Sequence, residues 1–146
     1  MGDLTGKVLY GGTASGEVMV LDEALSFWGG IDRQTGAIID EHHPQRGSSV
    51  AGKVLVMPYG RGSSSSTSVF AETIRAGSGP LALLLLEPDV ILVLGAMVAG
   101  ELYDKRCPVV VVPPDDYSRL ATGQLVQVVA QMGDTACIQM TDAVPA

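Results

Sequence analysis

The densest set of groups able to do chemistry lies in Pro58-Tyr59-Gly60-Arg61-Gly62-Ser63-Ser64-Ser65-Ser66-Thr67-Ser68. Two glycines flank an arginine, and a run of hydroxyls follows. The residues after it, Val69-Phe70-Ala71-Glu72-Thr73-Ile74-Arg75-Ala76, repeat apolar side chains at helical spacing, so the hydroxyl run feeds a helix N-terminus. At such an end the first backbone N–H groups lack intrahelical partners and the helix dipole is positive, which favours a carboxylate, a phosphate or a developing alkoxide. A serine held there beside Arg61 is a candidate base, working as alkoxide if the helix end and the guanidinium lower its pKa enough. A plainer reading stands next to this one. Serine and threonine are ordinary helix caps, and Gly60-Arg61-Gly62 is a good turn. The loop has no Gly-Lys-Ser/Thr ending of a phosphate loop, no Gly-x-Gly-x-x-Gly and no Gly-x-Ser-x-Gly elbow.

Short apolar segments must position this loop. Val54-Leu55-Val56-Met57 precedes it as a strand. Leu81 to Leu86 and Pro108 to Pro113 are continuous apolar runs of the kind buried on both faces, expected at the centre of a sheet. Lys7 to Tyr10 and Glu17 to Leu21 read as two strands joined through the glycine-rich Gly11 to Gly16 into an opening hairpin or bulged pair. Ala37-Ile38-Ile39 is a further strand candidate. Asp89 to Tyr103, apolar on every side and rich in Ala, Met and Leu, reads as a buried helix. Gln124 to Ala130 and Thr135 to Met140 form a closing hairpin around Met132-Gly133-Asp134, and the tail from Thr141 is expected to fray. The chain reads as one domain over residues 1–146, of α/β class, with a β-barrel-like sheet core partly covered by helices.

Composition narrows the function. With 146 residues, 47% apolar and 17% charged, the chain can bury a sizeable core. A net charge of −7 and few aromatic residues argue against binding nucleic acid or an anionic membrane. The N-terminus has no apolar leader and no run is long enough to span a bilayer, so a cytoplasmic protein is expected. Cys107 and Cys137 lie in apolar segments without metal-ligand spacing, and His42-His43 are adjacent rather than one helical turn apart. No metal site is expected on this chain.

An ordered set of motifs resembles the small subunit, or swivel domain, of the aconitase X enzymes. It comprises Ser26-Phe27-Trp28-Gly29-Gly30-Ile31-Asp32, then Thr35-Gly36-Ala37-Ile38-Ile39-Asp40 with His43-Pro44, then Ala51-Gly52-Lys53-Val54-Leu55-Val56 leading into Gly60-Arg61-Gly62-Ser63. The resemblance implies an aconitase-type swivel fold and a dehydratase whose active site forms between this chain and a large subunit. That partner would hold iron or an iron–sulfur cluster as Lewis acid, with none bound here. The serine after the Gly-x-Gly is the family's proton-abstracting base, which places that role on Ser63. Arg61, Gly62, Ser64, Ser65 and His43 are the expected substrate contacts, although His43 also suits a surface or interface position and Ser64 and Ser65 suit capping. Asp32 and Asp40 flank a turn they can shape, and Phe27 and Trp28 suit either the core or a docking face.

The resemblance carries two small hydroxy-acid substrates. The serine run, Phe27-Trp28 and His42-His43 look more like the bacterial form, a cis-3-hydroxy-L-proline dehydratase, than the archaeal mevalonate 5-phosphate dehydratase. A third possibility is a regulatory or interaction swivel module that contributes no catalytic group.

Overall fold

The structure, a computed structural model, describes residues 3–61 and 65–141. In chain order the elements are β1 (Leu4–Tyr10), β2 (Gly12–Val20), β3 (Leu25–Ser26), a broken helical turn α1 (Phe27–Gly30), β4 (Lys53–Met57), β5 (Gly60–Arg61), α2 (Ser65–Ala76), β6 (Ala82–Leu85), α3 (Val90–Tyr103), β7 (Val109–Val111), a short α4 (Pro114–Tyr117), β8 (Leu125–Ala130) and β9 (Thr135–Thr141). Among the described residues, seven strands close a barrel in the order β1-β7-β6-β4-β2-β8-β9, and β3 pairs with β5 in a separate two-stranded sheet. The expected barrel-like core partly covered by helices is what forms.

The runs that read as buried on both faces owe that pattern to the barrel and its helical cover. Val54, Val56, Ala82, Leu84 and Val110 join one apolar cluster with Leu4, Val18, Val126, Val128, Ala136 and Ile138, which draws on every strand of the barrel and so fills its interior. Their neighbours Leu55, Met57, Leu83, Leu85 and Val109 point the other way, into a second cluster with Val69, Phe70 and Ile74 of α2 and Leu92, Ala96 and Ala99 of α3. Strand side chains alternate between faces, so a strand with barrel on one side and helix on the other is apolar throughout. The helices meet closely because Gly95 sits at their crossing. A β-carbon there would lie 2.8 Å from the Phe70 ring and 2.9 Å from the Thr67 carbonyl oxygen.

Three expectations are corrected. The opening hairpin does not form: β1 pairs with β7 and β9, while β2 pairs with β4 and β8. Of the residues read as its turn, Gly11 to Gly16, those from Gly12 on are strand, paired with Ala130 to Val126. Their small side chains serve close approach, since a β-carbon at Gly16 would lie 3.1 Å from Leu81. Ala37-Ile38-Ile39 makes only isolated bridges, Ile31 to Ile38 and Ala37 to Ser49, within an irregular excursion between α1 and β4. The helix after Asp89 forms as expected but is not buried all round, because a helix laid on a barrel has one inward stripe. Leu92, Gly95, Ala96 and Ala99 are buried, whereas Val90 is 69% exposed, Leu94 45% and Met97 42%.

The closing hairpin is present as β8 and β9. Of the tail, residues 142–146 lie outside the described residues. Among the described residues no helix is long and apolar enough to cross a membrane.

Candidate functional site

β2, β4, β6 and β7 run parallel, so the segments that leave the ends of β2, β4 and β6 emerge on one rim of the barrel. In an α/β sheet the carboxyl ends of parallel strands are where ligand sites are built. Here those segments are tied together: the Leu21 amide donates to the Val56 carbonyl (2.8 Å), and the Leu86 amide to the Pro58 carbonyl (3.0 Å). The segment after β2 becomes β3 and the segment after β4 becomes β5. These pair in parallel, Leu25 with Gly60 and Ser26 with Arg61. The loop identified from sequence leaves this small sheet at Arg61 and enters α2 at Ser65. Gly62, Ser63 and Ser64 lie outside the described residues, as does the Arg61 side chain, but both ends of the loop are defined.

Each end has its own anchor. On the β5 side, the Gly60 amide donates to Asp89 Oδ2 at 3.1 Å. A β-carbon on residue 60 would lie 2.5 Å from that oxygen, so a larger residue would force the Asp89 carboxylate to shift. On the helix side, the hydroxyls of the first turn of α2 have distinct uses. Ser65, expected to touch substrate, is exposed at the first position of the helix. Ser66 is 1% exposed; its Oγ accepts the Trp28 amide at 3.2 Å and lies 3.5 Å from Ser26 Oγ. Thr67 Oγ1 donates to the Ile91 carbonyl in the first turn of α3 (3.0 Å), and Ser68 Oγ donates back to the Ser65 carbonyl (3.1 Å). The hydroxyl run is therefore split. Its later members Ser66 and Thr67 fasten the helix to neighbouring segments, while Ser65 is exposed at the helix start.

His43 is not at the surface, as one reading of the sequence had it, but 5% exposed. Its Nδ1 accepts the Gln45 amide at 3.1 Å, and Nε2 lies 3.2 Å from the Glu23 carbonyl, so the neutral ring with its proton on Nε2 satisfies both contacts. Gln45 also joins the segment after β2, accepting the Asp22 amide and donating to the Val20 carbonyl, each at 2.8 Å. His43 and Gln45 thus brace the stretch that leads into β3. Asp32 and Asp40 cap turns: Asp32 Oδ1 accepts the Gln34 and Thr35 amides and Asp40 Oδ1 accepts that of His42. Phe27 is core, packed with its ring tilted against Phe70 at 4.8 Å, whereas its neighbour Trp28 is 57% exposed. Asp89 was legible in the sequence only as a helix start; its reach to Gly60, 29 residues away, has no local signature.

The described residues do not suit iron or an iron–sulfur cluster. No group of three or more His, Cys, Asp or Glu among them is placed to hold a metal ion. Cys107 is fully enclosed and burial pushes its thiol far above the ordinary range, so it stays protonated and is no thiolate ligand. Cys137 is also raised, by desolvation and by the nearby Asp3 carboxylate, with which its Sγ–H is in contact at 3.6 Å. Thiol titration of the native chain at pH 8 is expected to register Cys137 alone, with Cys107 appearing only on denaturation. Because the folded pKa of Cys107 is raised, its contribution to stability is intact below the free-thiol value of about 8.5 and declines as pH climbs beyond it. Rapid native labelling of Cys107 would contradict this burial.

Comparison with known proteins agrees with the barrel fold. The family model described as the aconitase X swivel domain matches residues 3–137. A cis-3-hydroxy-L-proline dehydratase of Pseudomonas aeruginosa is 47% identical over 103 residues, covering 70% of this chain; the chain spans only 18% of that relative's length. A phosphomevalonate dehydratase small subunit of Thermococcus gammatolerans is 37% identical over 131 residues, covering 90% of this chain and 94% of the relative. The crystal structure of holo-form aconitase X from Thermococcus kodakaraensis superposes with a TM-score of 0.83 at 34% identity, covering 97% of this chain and 100% of that one. The chain belongs to the aconitase X swivel-domain family.

Proposed function

We propose that this chain, as one swivel domain over residues 1–146, is the small subunit of a two-subunit hydro-lyase that removes water from cis-3-hydroxy-L-proline. The observation that carries the reading is the anchoring of both flanks of residues 62–64, at Gly60 in β5 and Thr67 in the first turn of α2, on the rim where the parallel strands end. Ser63 is the middle one of those three residues in the sequence. In the reaction Ser63 takes the proton from the carbon bearing the carboxylate, and the 3-hydroxyl leaves with that pair of electrons forming the ring C=C bond. The proton and hydroxide depart as water, and the enamine tautomerises to 1-pyrroline-2-carboxylate. The first-turn amides of α2, together with Arg61, Gly62, Ser64 and Ser65, are assigned to the substrate carboxylate and to the alkoxide form of Ser63. His43 enters as a brace of the β3 segment, since a substrate contact would cost its two backbone bonds. Iron or an iron–sulfur cluster is assigned to the large subunit, and no step on this chain depends on its geometry.

Identity of 47% with the Pseudomonas aeruginosa protein supports hydroxyproline as substrate. The match in length to the Thermococcus gammatolerans subunit, 94% of which is covered, favours mevalonate 5-phosphate as the second reading. Proton NMR in deuterated buffer separates them. This chain mixed with a metal-loaded aconitase X large chain is expected to deplete the C2 and C3 proton signals of cis-3-hydroxy-L-proline. Consumption of mevalonate 5-phosphate instead would install the second reading. Equal turnover by the large chain alone would leave this one as a regulatory or interaction module.

A further inference from the structure

We infer that Asp89 is the positioning residue of the serine loop, and that the first turn of α3 clamps both ends of it. This rests on the reading that the loop carries the base. The two carboxylate oxygens of Asp89 do different work: Oδ1 caps α3 by accepting the Leu92 amide at 3.1 Å, and Oδ2 accepts the Gly60 amide at 3.1 Å. Capping needs only one oxygen, and serine, threonine or asparagine would supply it. The second oxygen has a partner 29 residues away on the strand that delivers the loop.

Four further contacts place this bond in a frame. The Pro58 carbonyl accepts the amides of Leu86 (3.0 Å) and Glu87 (3.1 Å), which fixes the approach to β5 against the approach to α3. Leu92 Cδ1 would stand 2.9 Å from a β-carbon at position 60, so the Gly60 backbone is pressed against both Asp89 and Leu92. On the far side of the loop, Thr67 Oγ1 donates to the Ile91 carbonyl at 3.0 Å. Residues 89 to 92 thus hold the entry to the loop at Gly60 and its exit at Thr67. A base that must meet a substrate carbon on a second subunit gains from such a frame, because misplacement by about 1 Å can cost on the order of 10²-fold in rate.

The test is Asp89→Ser, which keeps an N-cap for α3 but has one oxygen on a shorter side chain and cannot also reach Gly60. Amide hydrogen exchange is read on the purified chain by NMR, and kcat and KM on the pair with the large chain. The inference expects exchange at Gly60 to rise at least tenfold while amides in β6 and β8 keep their protection, and kcat to fall about tenfold or more with KM changed less than threefold. Unchanged Gly60 exchange, or wild-type kcat in a variant whose Gly60 exchange has risen, overturns it. Asp89→Asn, with a single acceptor oxygen, is expected to follow the serine variant, and wild-type behaviour in both would also overturn the assignment. A wild-type pair that turns over neither substrate counts against the dehydratase reading. The exchange result then decides the clamp by itself, a rise supporting it and no rise removing it.

Discussion

On the proposed reading, Ser63→Ala is expected to lower kcat for the dehydration by at least about 10²-fold, the loss that follows removal of a positioned general base, and to leave the unfolding midpoint of the chain unchanged. That factor corresponds to about 2.7 kcal/mol of transition-state stabilisation, at about 1.36 kcal/mol per tenfold. KM should move little, since the substrate carboxylate is assigned to backbone amides, Arg61 and neighbouring hydroxyls rather than to Ser63. The informative control is three residues on. Ser66 carries the same hydroxyl, but its oxygen is committed to the Trp28 amide in a site 1% exposed. Ser66→Ala therefore costs stability, about 1 kcal/mol for the lost bond, and less than tenfold in kcat. Paired kcat and denaturant measurements on the two variants separate a base from an anchor. Full turnover by the Ser63 variant would transfer the reading to the non-catalytic module.

Phe70→Ala destabilises the chain by about 3–5 kcal/mol, the range for emptying the seat of a large buried aromatic side chain. Phe70 is 0% exposed and is held from two directions: the Phe27 ring lies 4.8 Å away at an interplanar angle of 51°, and Gly95 of α3 admits its edge. No single neighbour can close the gap, because Phe27 is bound to the α1 turn and α3 to the barrel. For a domain of ordinary stability, about 5–15 kcal/mol, such a loss is a large fraction of the total. Urea unfolding followed by far-UV circular dichroism gives the value, and a loss below 1 kcal/mol would show that α2 is not seated through this ring. Turnover should fall further than the unfolded fraction accounts for, because α2 supplies one end of the loop.

What the sequence discloses and what it withholds divide along one physical line. Runs such as Leu81 to Leu86 announce burial on two faces, and the closing hairpin is announced by its turn, because both signals are local. The same apolar content in α3 misleads: Leu94 and Met97 are indistinguishable in type from Leu92, and only the position of the barrel decides which is covered. Gly12 to Gly16 looks like a turn for a similar reason, since glycine marks either a bend or a tight approach by a distant residue. The candidate site is named by a local motif, with Ser63 at its centre. The anchors were not. Asp89 to Gly60, Ser66 to Trp28 and His43 to Glu23 join positions separated by 29, 38 and 20 residues, and nothing in the intervening spacing prescribes them.

Closure of the barrel has a consequence for the chain's strand edges. Each of its seven strands has a neighbour on both sides, β1 meeting β9 to complete the ring. An open sheet of this size would present two rows of unpaired amides and carbonyls, which are templates for indiscriminate strand addition by other chains. Closure leaves the ring without that liability. On the proposed two-subunit reading, the exposed apolar side chains of α3, rather than unpaired barrel backbone, are what the described residues offer a partner.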